Sequence, residues 1–232
     1  MTDIINNDNA SPISTASVQP SSTASSHSVK LVLDPSILPT IQPYDNKLSL
    51  SELVRKIQSI LQPTDNSCID YIELYRCMIS YDYTSNEWYR YAHFNTDYRY
   101  TRNLIATDHS TYTLMLLCWN SDSVSKIHDH AESECFMTTL QGSINETQYN
   151  IPHINDKQLT VKSDKHSQIG DCCFIDNNIG LHRVANIHAE PAVTLHLYVP
   201  PYDSSKCYDE NDCSATDGYV TFYSEHGEIC EY

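Results

Sequence analysis

The sequence predicts an all-β sandwich or barrel preceded by helices, and three observations lead to this prediction. The chain has 232 residues, enough for one sizeable domain with its own core. Before residue 97, apolar residues recur with helical spacing. After residue 97, short apolar segments alternate with turn residues at intervals of roughly ten residues, which is typical of sandwiches and barrels.

The first segment of the chain is poor in large apolar residues. Residues 2–29 are mostly Ser, Thr, Asn and Ala, with two prolines. Such a segment buries too little apolar surface to offset the entropy that ordering costs. We therefore expect residues 1–29 to be a disordered tail and residues 30–232 to form the domain.

Two helices and a short third one are predicted before the strands. In LSLSELVRKIQSILQP, residues 48–63, apolar residues follow a helical period, Ser49 and Glu52 form a capping box, and Pro63 ends the pattern. A second helix is predicted over residues 68–80, and a short one around SNEWYRYA. We expect these helices to cover the core and not to carry the site.

Eight segments are predicted to be strands because they are rich in β-branched and aromatic residues and are bounded by turn residues. They are YRYTRNLIA, TYTLMLLCW, ECFMTTL, SINETQYN, LTVKS, CCFIDN, VTLHLYVP and YVTFYSE.

The charge and the cysteine content of the chain indicate which kinds of binding partner and which compartment to expect. Lysine and arginine total 14 against 30 acidic residues, and the formal charge of −16 argues against nucleic acid or an anionic membrane as a partner. No apolar stretch has the length of a membrane helix, and the N-terminus lacks the pattern of a signal peptide. Nine cysteines, an odd number without a CxxC pair, indicate mostly reduced thiols. We expect a cytoplasmic protein that acts on a small molecule.

Two histidines one residue apart are the first candidates for chemistry. They lie in HDHAESECFMTTLQG, residues 128–142. Alternation along an extended strand places His128 and His130 on one side and Asp129 on the other. Two imidazoles on one side suit a metal ion, but the pair alone is equally compatible with exposed polar histidines.

Two later segments supply further histidines, His182 in DNNIGLHRVAN and His196 in AVTLHLYVPP. In the second segment, alternation separates an apolar face from a polar face that carries Thr194, His196 and Tyr198. This polar row is either the wet side of an antiparallel strand or a hydrogen-bonded relay inside a cavity.

A further polar pair, Tyr100 and Arg102, shares one face of the segment YRYTRNL. A buried arginine binds a carboxylate through two parallel hydrogen bonds. That carboxylate belongs either to a substrate or to a neighbouring Asp or Glu, and the pattern does not choose between them.

Five collinear segments together resemble the cupin superfamily and, more closely, the cysteine dioxygenases of the eukaryotic type. The segments are YRYTRNL, LMLLCW, IHDHAESECFMTTLQG, IGLHRVAN and EPAVTLHLYVPP, and the resemblance spans about Leu48 to Tyr223. The implied fold is an all-β cupin jelly-roll barrel preceded by N-terminal helices.

The resemblance also implies how metal and substrate are bound. His128, His130 and His182 would hold one non-haem Fe(II). Arg102 would bind the substrate carboxylate, with Tyr100 beside it.

The same resemblance gives Tyr198 as the active-site tyrosine, hydrogen-bonded to His196. Cys135 occupies the position whose sulfur, in eukaryotic enzymes of this type, becomes linked to the tyrosine ring by a thioether bond. General cupins instead carry a glutamate ligand a few residues after HxH, and Glu134 fits that spacing. The glycine that follows indicates that Cys135, and not Glu134, matches the position in the family pattern. Six residues lie between Cys135 and Gly142, against seven between Glu134 and Gly142. We expect Glu134 to be an exposed loop acid.

The implied reaction is the oxidation of the L-cysteine thiol by dioxygen to cysteine sulfinate. Three neutral imidazoles leave the metal its full positive charge, which attracts a thiolate, whereas a carboxylate ligand would weaken that attraction. The protein would contribute positioning and electrostatics. We expect L-cysteine and dioxygen as partners and a monomeric enzyme.

Two positions depart from the mammalian pattern: Thr194 stands where serine is usual, and Ser205 where a cysteine often lies near the substrate entrance. Cys207 is close in sequence but is not the matched position, so an entrance thiol is in doubt. Two other functions stay open at this point. One is a cupin isomerase or other dioxygenase that uses Glu134 as a ligand, and the other is a cupin binding module without catalysis.

Overall fold

Helices precede the strands in the part of the chain that is described. The computed structural model describes residues 33–62 and 68–231, so the predicted tail lies outside it. Two 3₁₀ helices, Pro35–Thr40 and Asn86–Tyr91, flank two α-helices, α1 Leu50–Leu61 and α2 Tyr71–Ser80. The segment SNEWYRYA therefore forms a 3₁₀ helix.

Capping residues determine where the two α-helices begin. The predicted capping box of α1 is present: the Ser49 side chain accepts from the Glu52 N–H, and the Glu52 carboxylate accepts from the Ser49 N–H. Helix α2 begins at Tyr71 and not at residue 68, because the Asp70 carboxylate caps it by accepting the Glu73 N–H.

Fourteen strands follow in the described residues. They are β1 Tyr100–Thr107, β2 Thr113–Trp119, β3 Ser123–Val124, β4 Ile127–His128, β5 Glu134–Gln141, β6 Ile144–Tyr149, β7 Val161–Ser167, β8 Cys172–Ile175, β9 Leu181–Asn186, β10 Ala192–Val199, β11 Ser204–Tyr208, β12 Ala215–Tyr219, β13 Ser224–Glu225 and β14 Glu228–Ile229. Seven of the eight predicted segments each overlap one strand. The prediction for YVTFYSE is wrong, because β12 ends where this segment begins and β13 starts only at Ser224.

The strands form two sheets. The first has the order β14-β13-β1-β2-β10-β5-β8, and the second has the order β12-β11-β4-β9-β6-β7, with β3 also paired to β9. Neighbours are antiparallel except β1 and β13, which are parallel. The predicted all-β jelly roll with preceding helices is confirmed.

The first sheet has a different neighbour on each of its faces, and β10 shows this division. Leu195 and Leu197 point toward the helices, in one cluster with Leu53 of α1. Tyr198 points the other way, in a cluster that includes Val184 of the second sheet. Each fully buried aliphatic side chain contributes about 1.5–3 kcal/mol. The helices therefore cover the outside of the sheet and leave its inner face for a cavity between the sheets.

Candidate metal centre and substrate cleft

The three predicted metal ligands lie together. His128 ends β4 and pairs with His182 of β9, whereas His130 lies just after β4. One ring nitrogen from each lies within 4.8 Å of the other two. The extended strand that we predicted stops at His128, and His130 is held instead by Asn177, whose side-chain oxygen accepts its backbone N–H at 2.9 Å. Asp129 faces away and accepts the Lys206 N–H.

The hydrogen bonds of two rings direct their Nε2 atoms toward each other. His182 Nδ1 donates to Glu146 at 2.8 Å, and His128 Nδ1 donates to the Lys126 carbonyl at 2.8 Å. The two Nε2 atoms lie 3.2 Å apart. Burial and the neighbouring His182 lower the pKa of His128 to about 3, so its Nε2 carries a lone pair. Two nitrogen atoms this close, each turned toward the other, form a site that suits a cation, either a shared proton or a metal ion.

His130 decides between these two cations. Its ring is fully buried, and neither ring nitrogen has a hydrogen-bond partner among the described residues. Burial lowers its pKa well below the usual range, so the ring is neutral. A buried polar atom without a partner costs about 1–3 kcal/mol. A shared proton would leave this cost in place, whereas a metal ion would bind the third ring. The residues therefore fit a metal, and neutral imidazoles suit a first-row transition metal.

Glu134 does not belong to this ligand set, and our expectation that it is an exposed loop acid is wrong. It is the first residue of β5 and only 3% exposed. Its carboxylate contacts the hydroxyl of Tyr71 in α2, on the helix side of the sheet. Because side chains alternate along β5, the next residue, Cys135, faces the cavity. A metal site built with Glu134 is thereby excluded.

The polar row of β10 is a buried relay and not a wet face. Thr194, His196 and Tyr198 are all at most 6% exposed. The Thr194 Oγ1 lies 2.7 Å from His196 Nε2, and the Tyr198 hydroxyl lies 3.3 Å from His196 Nδ1. Burial lowers the pKa of His196 well below its usual range, which keeps the ring neutral. Thr194 thus makes the hydrogen bond expected of the usual serine.

Cys135 lies directly opposite Tyr198 in the pairing of β5 with β10. Its sulfur is 3.9 Å from His196 Nδ1 and is also hydrogen-bonded to Tyr198. Burial raises the pKa of the Cys135 thiol, and burial and then Cys135 raise that of the Tyr198 phenol. Both groups are therefore protonated, in one buried cluster.

Arg102 and Tyr100 also lie as predicted, at one side of the cavity. Arg102 Nη2 donates to the Tyr100 hydroxyl at 3.0 Å, and the guanidinium carbon lies 5.0 Å from the ring centre. Burial opposes the charge, but Tyr100 and Tyr202 raise the pKa of Arg102, so the group stays cationic. Within residues 33–62 and 68–231, no carboxylate forms an ion pair with Arg102. This disfavours the structural salt bridge and leaves the guanidinium for a ligand.

A cleft of about 450 Å³ connects Arg102 and His128 to solvent. Ser205 and Cys207, which are two residues apart on β11, both line it. An entrance thiol is therefore present, although it is not at the position that the resemblance matched. The other lining residues are Arg99, Tyr100, Val124, Lys126, Tyr202, Gly218, Tyr219 and Val220.

Sequence reasoning missed three residues that support the site: Glu146, Asn177 and Trp119. Glu146 is fully buried on β6, but it shares its face with Ile144 and Gln148, so the local pattern gave no clear sign that this acid would be buried. Asn177 has no local signal either, because its contact with His130 joins two distant loops. Trp119 ends a segment that we quoted for the resemblance, but we gave it no role.

Comparison with known proteins gives matches over most of the chain. The family described as cysteine dioxygenase type I matches residues 41–211. The cysteine dioxygenases type 1 of Bos taurus and Homo sapiens are each 37% identical over 180 residues, which cover 77% of this chain and 88% of those proteins. That of Danio rerio is 36% identical over 189 residues, which cover 79% of this chain and 90% of the relative. The solved structure of TT1209 from Thermus thermophilus matches with a TM-score of 0.39 and 18% identity, over 49% of this chain and 94% of that one.

Proposed function

Because this chain belongs to the cysteine dioxygenase type I family, we propose that it oxidises the thiol of L-cysteine to cysteine sulfinate with dioxygen and a non-haem Fe(II) ion. Both oxygen atoms of dioxygen go to the sulfur, and the thiol proton is released. The observation that carries the proposal is one cleft that reaches both a three-histidine site and an arginine without a carboxylate partner among the described residues.

The metal would be held by His128, His130 and His182. Fe(II) is the metal that we propose, because triplet dioxygen reacts slowly with a closed-shell thiolate and a redox-active metal would provide the one-electron steps that overcome this barrier. The ligand set supports this choice. Neutral nitrogen donors bind iron without reducing its positive charge, and that charge would attract a thiolate.

Arg102 would bind the substrate carboxylate, and Tyr100 would orient the guanidinium. The donated hydrogen bond to Tyr100 and the ring beside the guanidinium carbon hold it in place before a substrate arrives. A preorganised guanidinium reduces the entropy that binding costs. L-Cysteine fits this arrangement better than thiols that lack a carboxylate.

Tyr198 would donate a hydrogen bond to the substrate or to dioxygen, with His196 fixing its orientation. Cys135 would become linked to the Tyr198 ring by a thioether bond, with loss of the S–H hydrogen and one ring hydrogen and with dioxygen as the two-electron oxidant. The direct pairing of the two residues across β5 and β10 supports this link. Such a link would hold the phenol in one position.

We also propose a monomeric enzyme of the cytoplasm. Every proposed site residue comes from one chain, which supports a monomer as the working unit. The odd number of cysteines, nine, and the lack of a CxxC pair support a reducing compartment. None of the helices in residues 33–62 and 68–231 is long and apolar enough to cross a membrane.

Metal analysis followed by product analysis tests this function. The purified protein is expected to contain close to one equivalent of iron and to convert cysteine to cysteine sulfinate under oxygen, detected by mass spectrometry. Bound iron without sulfinate would reject the dioxygenase. Protein that binds neither iron nor another metal would instead indicate a cupin binding module.

A further inference from the structure

Trp119 lies between the two polar groups of the cavity. We call Tyr100 and Arg102 the carboxylate arm, and Thr194, His196 and Tyr198 the relay. The indole ring of Trp119 lies 4.5 Å from the Tyr100 ring, centre to centre, and its Nε1–H donates to Thr194 Oγ1 at 2.9 Å. Trp119 is 1% exposed at the end of β2, so these contacts are made in a dry interior.

We propose that Trp119 is a positioning residue that couples the carboxylate arm to the relay: its ring supports Tyr100, and its N–H sets the direction of every hydrogen bond in the relay. This role rests on the proposed function only for its effect on catalysis. The hydrogen-bond direction is a property of the protein itself.

The direction follows from what each group can donate. An indole N–H is only a donor, so Thr194 Oγ1 accepts from it. Among the described residues, the polar neighbours of that hydroxyl are Trp119 and His196, and of these only His196 Nε2 can accept the hydroxyl hydrogen. His196 therefore carries its proton on Nδ1.

The Nδ1–H of His196 faces Tyr198 and Cys135. It lies 3.3 Å from the Tyr198 hydroxyl and 3.9 Å from the Cys135 sulfur. The Tyr198 oxygen then accepts from His196, so the relay does not use the phenol hydrogen, which stays available to Cys135, Tyr202 or a substrate on the cavity side. If the tautomer were reversed, the phenol would donate to His196 and lose that hydrogen for the substrate.

Two substitutions at Trp119 separate the two contacts. Trp119→Phe keeps a ring beside Tyr100 but removes the N–H, whereas Trp119→Leu removes both. Trp88 provides a matched control, because it is also buried and donates its N–H to the Tyr83 carbonyl. Trp88 and Trp119 are the two tryptophans of the chain, so their indole signals are simple to assign.

Nuclear magnetic resonance of the metal-free protein tests the relay without any catalysis. In the unsubstituted protein, long-range ¹H–¹⁵N spectra are expected to show the proton of His196 on Nδ1. Thr194→Val should shift the indole N–H signal of Trp119 and leave that of Trp88 unchanged. Trp119→Phe should convert part of His196 to the Nε2–H form, whereas Trp88→Phe should not. An Nδ1–H signal that survives Trp119→Phe unchanged, or an Nε2–H signal in the starting protein, would overturn the proposal.

Steady-state kinetics test the coupling. Trp119→Phe is expected to lower kcat about 10-fold and to change the KM for cysteine less than about twofold, because only the relay is affected. Trp119→Leu should also raise KM, since Tyr100 loses its support. The double variant of Trp119→Phe and Thr194→Val should be no slower than Thr194→Val alone, because both remove the same hydrogen bond. Additive losses, or an equal loss in Trp88→Phe, would contradict a positioning role. If Trp119→Phe fails to fold, Thr194→Val examines the same bond from its other end.

Discussion

Arg102 is the single residue on which substrate choice depends most directly. Arg102→Gln removes a charge-assisted pair of hydrogen bonds worth roughly 1.5–3 kcal/mol, so kcat/KM for cysteine should fall about 10- to 100-fold, chiefly through KM. Arg99→Gln is the matched control, because Arg99 lines the same cleft but is exposed. It should change KM less than about twofold. An unchanged KM in Arg102→Gln would show that Arg102 does not bind the substrate carboxylate.

Cys135 should leave a visible mark on the purified protein. If its sulfur becomes linked to Tyr198, linked and unlinked chains differ in shape when denatured and should give two bands on a denaturing gel. Cys135→Ala should give one band. Cys173→Ala should keep both bands, because Cys173 packs against the same inner cluster but pairs with Met137 and not with Tyr198. A doublet that persists in Cys135→Ala would assign the second band to another modification.

Glu146 supports the metal site through the ring that it touches. Burial opposes the charge, but the hydrogen bond and charge of His182, together with Lys165 and Gln148, lower the pKa of the Glu146 carboxyl, so the carboxylate stays charged beside the imidazole. Removing that charge by Glu146→Gln makes His182 a weaker ligand, and metal affinity should fall about 10- to 100-fold. Competition with a chromophoric chelator measures it. Glu228→Gln, at an exposed site, should leave the affinity unchanged; equal affinities in both variants would contradict the role of Glu146.

At the scale of elements, the turn between β1 and β2 depends on Asp108. Its Oδ1 accepts the backbone N–H groups of Ser110, Thr111 and Tyr112. Burial opposes the charge, but the hydrogen bonds from Thr111 and its neighbours together lower the pKa of Asp108 to about 2.

Asp108 should therefore stabilise the protein in a pH-dependent way. Its folded pKa lies below the unfolded value, so the stabilisation is present above pH 4 and is lost as pH falls toward 2. Asp108→Asn should lower the free energy of unfolding by about 1 kcal/mol at pH 7, a value reduced for the exposure of the turn. Urea unfolding at several pH values measures the difference, which should shrink below pH 4. Asp45→Asn, at an exposed site, should show no such trend. A difference that is constant with pH would contradict this account.

Elements with regular local patterns were predictable, and those that depend on distant partners were not. Strand β10 has a strict alternation, from which both of its faces were inferred. Strand β11 has no alternation of apolar and polar residues and exists because it pairs with β4 and β12, which no local pattern records. The segment 219–225 has high β-propensity, yet its middle residues have no ladder partner.

The residues of the site likewise divide into those that a local pattern predicts and those that depend on distant partners. Alternation placed His128 and His130 on one side, but it could not choose the third histidine, which came from the resemblance to a family. Glu134 was placed wrongly because an acid at the first position of a predicted strand is usually exposed, whereas α2 covers it and supplies Tyr71 as a partner. Long-range packing, and not local propensity, decides which polar residues are buried.

Across the whole molecule, charge distribution favours the proposed substrate. The chain carries a formal charge of −16, yet its cleft is lined by three cationic side chains, those of Arg99, Arg102 and Lys126. Low-dielectric walls focus the field of such groups inside a cleft. A thiolate that also carries a carboxylate would therefore be drawn toward the histidine site in spite of the overall negative charge.

The metal should also stabilise the whole fold. Its ligands come from β4, the segment after β4 and β9, so binding would join parts of the chain far apart in sequence. At a free metal concentration near 100 times Kd, the gain is about 2.7 kcal/mol, and Tm should rise by about 5–10 °C for a chain of this size. Calorimetry of protein stripped by a chelator and then reloaded with Fe(II) without oxygen measures the shift. His182→Ala should lose it, whereas His188→Ala, at an exposed histidine, should keep it. The same Tm for stripped and reloaded protein would show that the three histidines do not bind the ion tightly, because a metal that binds only the folded state must raise its stability.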